Sequence, residues 1–190
     1  MSSTGTARRL PRAERREQIL AAATRAFARG GFAGTGLDDV ATEAGITRVL
    51  LYRHFESKTD LYRAVLDRAC LRLTESVGAD DFDETSIPAL VRAAAADPDG
   101  FRLLFRHAAR EPEFRDVVDA LDTGSVEVAH RNLLRTMPDG PWIRWAAHLL
   151  PAVTIDAVIA WLDAGQPDPG RAPDRIAAIV AGVIEAAQAS

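Results

Sequence analysis

Between Gly45 and Leu61 the chain reads GITRVLLYRHFESKTDL. This sets Arg48, Tyr52, Arg53, His54 and the only lysine of the chain, Lys58, close together. These side chains supply cationic and phenolic donors suited to holding phosphate, and an arginine can also fork onto a guanine edge through two hydrogen bonds. The chemistry on offer is recognition of a polyanion rather than bond making. The four histidines, His54, His107, His130 and His148, have no metal-ligand spacing, and the sequence contains no G-x-S-x-G, P-loop or dinucleotide fingerprint. The expectation is therefore no enzyme, no metal and no cofactor.

Charge is distributed unevenly along the 190 residues. Residues 1–60 carry ten basic groups against seven acidic ones, net +3, while residues 61–190 carry thirteen against twenty, net −7, which together give the overall −4. A basic first part on an acidic remainder points to a polyanion met by the first part alone. With 47% hydrophobic residues there is material for a sizeable core. Cys70 is the only cysteine, so no intramolecular disulfide forms, which suits a cytoplasmic location. The longest charge-free apolar run, Trp145 to Ile155, is too short to cross a bilayer, so no membrane partner is expected.

Helical periodicity dominates. Ile19, Ala23, Ala26 and Phe27 recur at three- and four-residue intervals over 12–29, and Gly30-Gly31 ends that pattern. A short helix over 37–44 is followed by a Gly45 turn, then by a third over 48–54 with Thr47 at its N-cap and a fourth capped by Ser57. Further helices are expected over 87–96, from Asp97-Pro98, from Pro112, over 141–163 with Pro151 inside, and from about residue 173. The spacing predicts an all-α protein of about nine helices. Residues 1–11 read as a disordered basic arm, 12–57 as a helix-turn-helix domain and 58–190 as a larger helical domain.

A helix pair of these lengths around a glycine turn fits a helix-turn-helix, whose second helix enters a DNA major groove. The stretch Phe27 to Leu66 resembles the N-terminal DNA-binding domain of the tetracycline-repressor (TetR) family. Phe27, Gly31-Phe32, Thr35, Val40-Ala41, Ala44-Gly45, Leu51-Tyr52, His54-Phe55, Ser57-Lys58 and Leu61 carry the match. The resemblance implies that Tyr52 and Lys58 hold DNA phosphates. Thr35 and Thr47 are read as backbone contacts or caps. Arg48 and Arg53 are read as base-edge or phosphate contacts, and His54 as a phosphate contact or a core histidine. Val49 and Leu50 depart from the family, which often has a small residue and a threonine there; as apolar groove-facing side chains they would meet thymine methyls. Arg8, Arg9, Arg12, Arg15 and Arg16 form an arm for a minor groove or for phosphates, or a solvated charge run.

One such module reads one half-site, so a homodimer on a palindromic double-stranded operator is expected. In the family the last two helices pair with their mates. Leu149, Val153, Trp161, Ile176, Ile179, Val180, Val183 and Ile184 are the candidate interface here. Family members also enclose a cavity for a small-molecule effector. Its candidate lining is Phe101, Phe105, Phe114, Trp142 and Trp145, with Arg102, His107, His130 and His148 as polar groups. The function that follows is a ligand-responsive repressor that releases its operator when a hydrophobic or amphipathic effector binds. The alternative, suggested by Val49 and Leu50, is a helical ligand-binding or protein-interaction module that has lost specific DNA binding.

Overall fold

The computed structural model describes residues 11–78 and 81–189; apart from Pro11, the expected basic arm, Arg8 and Arg9 included, lies outside them. Among the described residues there are nine α-helices and no strand. They are α1 (Arg12–Gly34), α2 (Leu37–Ala44), α3 (Arg48–Tyr52), α4 (Lys58–Val77), α5 (Ser86–Ala96), α6 (Pro98–Arg102), α7 (Arg115–Leu133), α8 (Pro141–Asp163) and α9 (Ala172–Gln188). The chain divides into two compact units, Met1–Val65 and Leu66–Ser190. Sequence reasoning put a boundary after residue 57. The division falls inside α4 instead, because its first turns bury Leu61, Tyr62 and Val65, and Tyr62 meets the Phe27 ring edge-on at 4.8 Å.

In the first unit α1 turns one apolar stripe inward: Ile19, Ala22, Ala23, Ala26 and Phe27 are all buried. Gly31, at φ 68° and ψ 176°, breaks the helix where the glycine pair was expected to end it, and a last turn then runs on to Gly34. Phe32 in that turn lies 5.0 Å from the Tyr62 ring, closing an aromatic cluster with Phe27. α2 ends on Gly45 in the left-handed region, φ 63°. The Gly45 amide donates to the Thr42 carbonyl at 3.1 Å and the Ile46 amide to the Ala41 carbonyl at 3.0 Å, the paired closure typical of a left-handed C-cap.

The second unit packs α8 between α7 and α9, with α5 against both α8 and α9. One core gathers Leu90, Val91, Phe101, Val158, Ile159 and Leu162; a second gathers Ala129, Leu133, Ile143, Ala146, Ala147 and Leu150. Asp97 caps α6 as expected, accepting from the Gly100 amide at 3.0 Å, with Pro98 in the first turn. The helix then loosens into a π turn, Leu103–His107, and a 3₁₀ turn, Ala108–Arg110. A second 3₁₀ turn, Pro112–Phe114, precedes α7, so Pro112 opens a tight turn rather than the long helix itself. By length and apolarity α8 could cross a bilayer, which the short charge-free run had concealed. Its buried residues, among them Ile143, Ala147, Val158 and Leu162, are taken up by the cores of this unit.

Gly45→Ala places a side chain in the left-handed region, a conformation that costs an L residue roughly 1–2 kcal/mol. Gly34, helical and with open space around its Cα, carries no such requirement. Urea unfolding is expected to show a loss of that size for G45A and none for G34A.

Candidate nucleic-acid interface

Five residues cannot sustain a helix unaided, so α3 is held from both ends and from beneath. The Thr47 hydroxyl accepts from the Leu50 amide at 3.3 Å, and the Thr47 carbonyl accepts from the Leu50 and Leu51 amides. Leu51 and Phe55 are fully buried, each burial contributing about 1.5–3 kcal/mol relative to exposure. What remains outside is the face of interest. Val49 is 67% exposed and Tyr52 45%, with Arg48 and Arg53 exposed beside them and Leu50 half-buried.

Arg48 is held at the rim of this face. Its Nη1 donates to Asp38 Oδ2 at 2.8 Å, its Nη2 to the Tyr52 hydroxyl at 3.2 Å, and the guanidinium stands 5.6 Å from the Tyr52 ring centroid. The Tyr52 and Asp38 contacts both favour the cation. Because Arg48 and Asp38 are exposed, the pair contributes little to stability. At the start of α4, Ser57 Oγ accepts from the Asp60 amide at 3.0 Å, which fulfils its predicted cap. Lys58 Nζ lies 4.5 Å above the Phe32 ring and donates to the Ala33 carbonyl at 3.5 Å, so the ammonium is pre-positioned beside the end of α1.

The first turns of α1 add charge to the same unit. The Arg16 guanidinium lies 4.5 Å from the Phe55 ring centroid, and Arg15 Nη1 donates to Gln18 Oε1 at 2.8 Å. His54 is half-buried, with a buried Nδ1 that has no hydrogen-bond partner among the described residues. Burial first, then the charges of Arg12, Arg16 and Arg15, push its pKa down, so the ring is neutral near pH 7. It is thus a packed neutral imidazole rather than a cation displayed to solvent. Thr35 also departs from expectation. It is 4% exposed, its hydroxyl donates to the Ala26 carbonyl at 3.2 Å, and the α2 N-cap is Gly36, whose amide donates to Asp39 Oδ2 at 2.7 Å. The Thr35 hydroxyl thus ties down the end of α1 instead of capping α2.

The second unit contains a cavity of about 700 Å³. Its walls come from the end of α4, from α5, α7, α8 and α9, and include Leu73, Ile87, Leu90, Phe105, Leu121 and Ile155. Of the nine residues predicted to line it, only Phe105 does. Phe101 and Phe114 are consumed by core packing; Trp142 and Trp145 are 60% and 40% exposed, stacked edge-to-face at 5.7 Å. Arg102 is held by Asp163 at 3.1 Å, His107, Arg102 and His148 stand outside the lining, and His130 Nε2 lies 3.6 Å from Asp139. Aromatic content and polarity pointed to the wrong residues because the cavity walls are mostly aliphatic, with Leu73, Ile87, Leu90, Leu121, Leu150 and Ile155 among them. Cys70, half-buried on α4, has its thiol pushed up to about 11 by burial and then by Asp67, which removes it as a nucleophile near neutral pH.

Residues 19–65 match the family model for bacterial regulatory proteins of the tetR family. Over 169 residues the chain is 31% identical to the HTH-type transcriptional activator FasR of Mycolicibacterium smegmatis, covering 84% of this chain and 77% of that relative. The chain belongs to the TetR family. It is also 39% identical over 89 residues to the HTH-type transcriptional repressor SCO4008 of Streptomyces coelicolor, 46% of each protein. Among solved structures, a TetR-like transcriptional regulator from Rhodococcus sp. RHA1 superposes with a TM-score of 0.72 at 23% identity, covering 88% of this chain and 94% of that one. As a TetR-family member it is a DNA-binding transcriptional regulator of all-α fold. Among the described residues, no group of three or more acidic, histidine or cysteine side chains is placed to hold a metal.

α2 is fastened to α1 by Glu43, whose two carboxylate oxygens accept from Arg25 Nε at 2.8 Å and Arg29 Nη2 at 2.5 Å. Those hydrogen bonds, Arg25 first and Arg29 second, hold the Glu43 carboxyl below its ordinary 4.5. A lowered folded pKa gives stability that is present above 4.5 and lost as pH falls through the folded value. Urea midpoints measured from pH 7 to pH 3 are expected to put wild type above E43Q at pH 7, with the difference closing below pH 4.5.

Proposed function

We propose that this TetR-family regulator is a homodimeric, ligand-responsive repressor of a palindromic double-stranded operator in the cytoplasm. The observation that carries the reading is the exposed face of α3, where Val49, Arg48, Tyr52 and Arg53 stand on a helix fixed by Leu51 and Phe55. Tyr52 and Lys58 clamp phosphates, Thr47 caps the helix beside the backbone, and Arg48 leaves Asp38 for a base edge or phosphate. Val49, and Leu50 behind it, contribute apolar contact to thymine methyl groups. A repressor needs only to cover its operator. Activation is the second reading, favoured by the FasR relative that matches the greater part of the chain.

Dimerisation is supported by apolar surface left on α8 and α9: Trp142 and Trp145 at one end, Ile179 exposed, and Leu149, Val153 and Val183 half-buried. Val180 and Ile184 serve the cavity wall, while Trp161 and Ile176 belong to the core of the unit, with Trp161 Nε1 donating to the Pro167 carbonyl at 2.9 Å. The last two are therefore withdrawn from the interface. The apolar cavity suits a small hydrophobic or amphipathic effector. α4 begins with the DNA-facing Lys58 and ends with the cavity residues Leu73, Thr74 and Val77, so a ligand that shifts this one helix biases the DNA-binding module.

Fluorescence anisotropy against labelled duplexes tiling the DNA upstream of its own gene, at two salt concentrations, tests the DNA reading. One palindromic tile should bind tightly, with salt-dependent affinity. Arg48→Ala should weaken that tile by about 5- to 150-fold, whereas Tyr52→Ala should weaken all tiles alike. Equal weak binding to every tile, indifferent to Arg48, would instead favour a ligand-binding or protein-interaction module. With the operator in hand, saturation by an effector is expected to lower affinity by roughly 5- to 150-fold, and transcription from the operator-bearing promoter, with and without the protein, separates repression from activation.

A further inference from the structure

Asp38, in the first turn of α2, is used differently from Asp39, Glu43 and Asp60 of the same unit. Asp39 Oδ2 accepts from the Gly36 amide at 2.7 Å, Asp60 Oδ2 accepts from the Glu56 amide at 2.9 Å, and the two Glu43 oxygens accept from Arg25 and Arg29. Those carboxylates close helices or fasten them together. The Asp38 carboxylate does neither job within α2: among the described residues it accepts from Arg48 Nη1, at 2.8 Å. The pair is exposed and joins the start of α2 to the start of α3 across the Gly45 turn. A first-turn acid also suits the positive end of a helix, but that use makes no demand on Arg48.

Exposure keeps the worth of the pair to the fold small, so what matters is what it presents. Arg48 Nη1 and Asp38 Oδ2 are a donor and an acceptor 2.8 Å apart, beside the outward Val49 and Tyr52. A G·C pair shows the converse couple in the major groove: guanine O6, an acceptor, and the cytosine N4 amino group, a donor, about 2.9 Å apart across their own hydrogen bond. Set edge to edge, Nη1 donates to O6 and N4 donates to Oδ2. The other arm of the fork, Nη2, reaches guanine N7 on leaving the Tyr52 hydroxyl, which now accepts from it at 3.2 Å. An A·T pair puts an amino group where O6 stands and a carbonyl where N4 stands, so donor meets donor and acceptor meets acceptor. A phosphate satisfies Arg48 but leaves the Asp38 carboxylate unpaired beside an anion.

Resting on the reading of α3 as the groove-facing helix, we propose that Asp38 determines specificity together with Arg48, the two reading one G·C pair in each half-site of the operator. Arg48 supplies the donors for guanine and Asp38 the acceptor for cytosine N4. The same carboxylate sets Arg48 against service as a plain phosphate contact.

Anisotropy titrations of the full chain test this, with the upstream tile that binds most tightly and a set of duplexes in which each base pair of one half-site is changed in turn. Changing one G·C pair to A·T should cost wild type about five-fold or more in affinity. That penalty should shrink at least about three-fold in Asp38→Ala and vanish in the double variant with Arg48→Ala. Glu56→Gln removes an exposed charge of the same unit that makes no contact with Arg48, and it should keep the penalty whole. Asp38 is exposed, and circular dichroism is expected to show native helicity for each variant. A penalty that survives Asp38→Ala unchanged, one that Glu56→Gln relaxes equally, or the lack of any base pair whose discrimination depends on Arg48 overturns the assignment to Asp38, while selective binding of the tile leaves the DNA reading in place. If wild type prefers no tile, the DNA reading falls and this inference falls with it.

Discussion

A helix of one and a half turns has no stability of its own, since nucleation costs more than so few hydrogen bonds return. The exposed face proposed to meet DNA rests on such a helix. α3 exists because the left-handed Gly45 closes α2 and aims the chain, Thr47 satisfies an amide at its start, and Leu51 and Phe55 sink into the unit made by α1, α2 and the first turns of α4. Everything exposed on α3 inherits its position from those buried neighbours.

The same logic explains how its polar groups are held. Arg48 is poised between Asp38 and Tyr52, Lys58 over Phe32, and Arg16 over Phe55, so each cation rests on an aromatic ring or a carboxylate that limits its freedom before any partner arrives. Pre-positioning lowers the entropy lost on binding. In the second unit, the cores of α5, α8 and α9 and of α7 and α8 fix the walls, and the space they do not fill is the cavity.

Sequence patterning located the helices well where stop signals were strong. Gly45, Thr47, Ser57 and Asp97-Pro98 each do the local job read from them. Patterning was weaker where a residue had two uses. Thr35 has the side chain of a cap, yet it is buried against the Ala26 carbonyl, because Asp39 closes α2 from within. Phe101, Phe114 and Trp161 have the size of ligand or interface contacts, yet the core claims them. Aromatic identity reports large apolar area without saying which surface will cover it.

What the sequence determined by itself was local: helix periods, caps and turns, the basic first part, and a motif dense enough to name a family, since each depends on residues a few positions apart. The tertiary structure decided which of two eligible surfaces each side chain met. It moved His54 into a neutral packed position, left Trp142 and Trp145 exposed, and walled a cavity with Leu73, Leu121 and Ile155 from three different helices. Cavities and interfaces are set by the relative placement of helices distant in the chain, and periodicity within one helix carries no information about that placement.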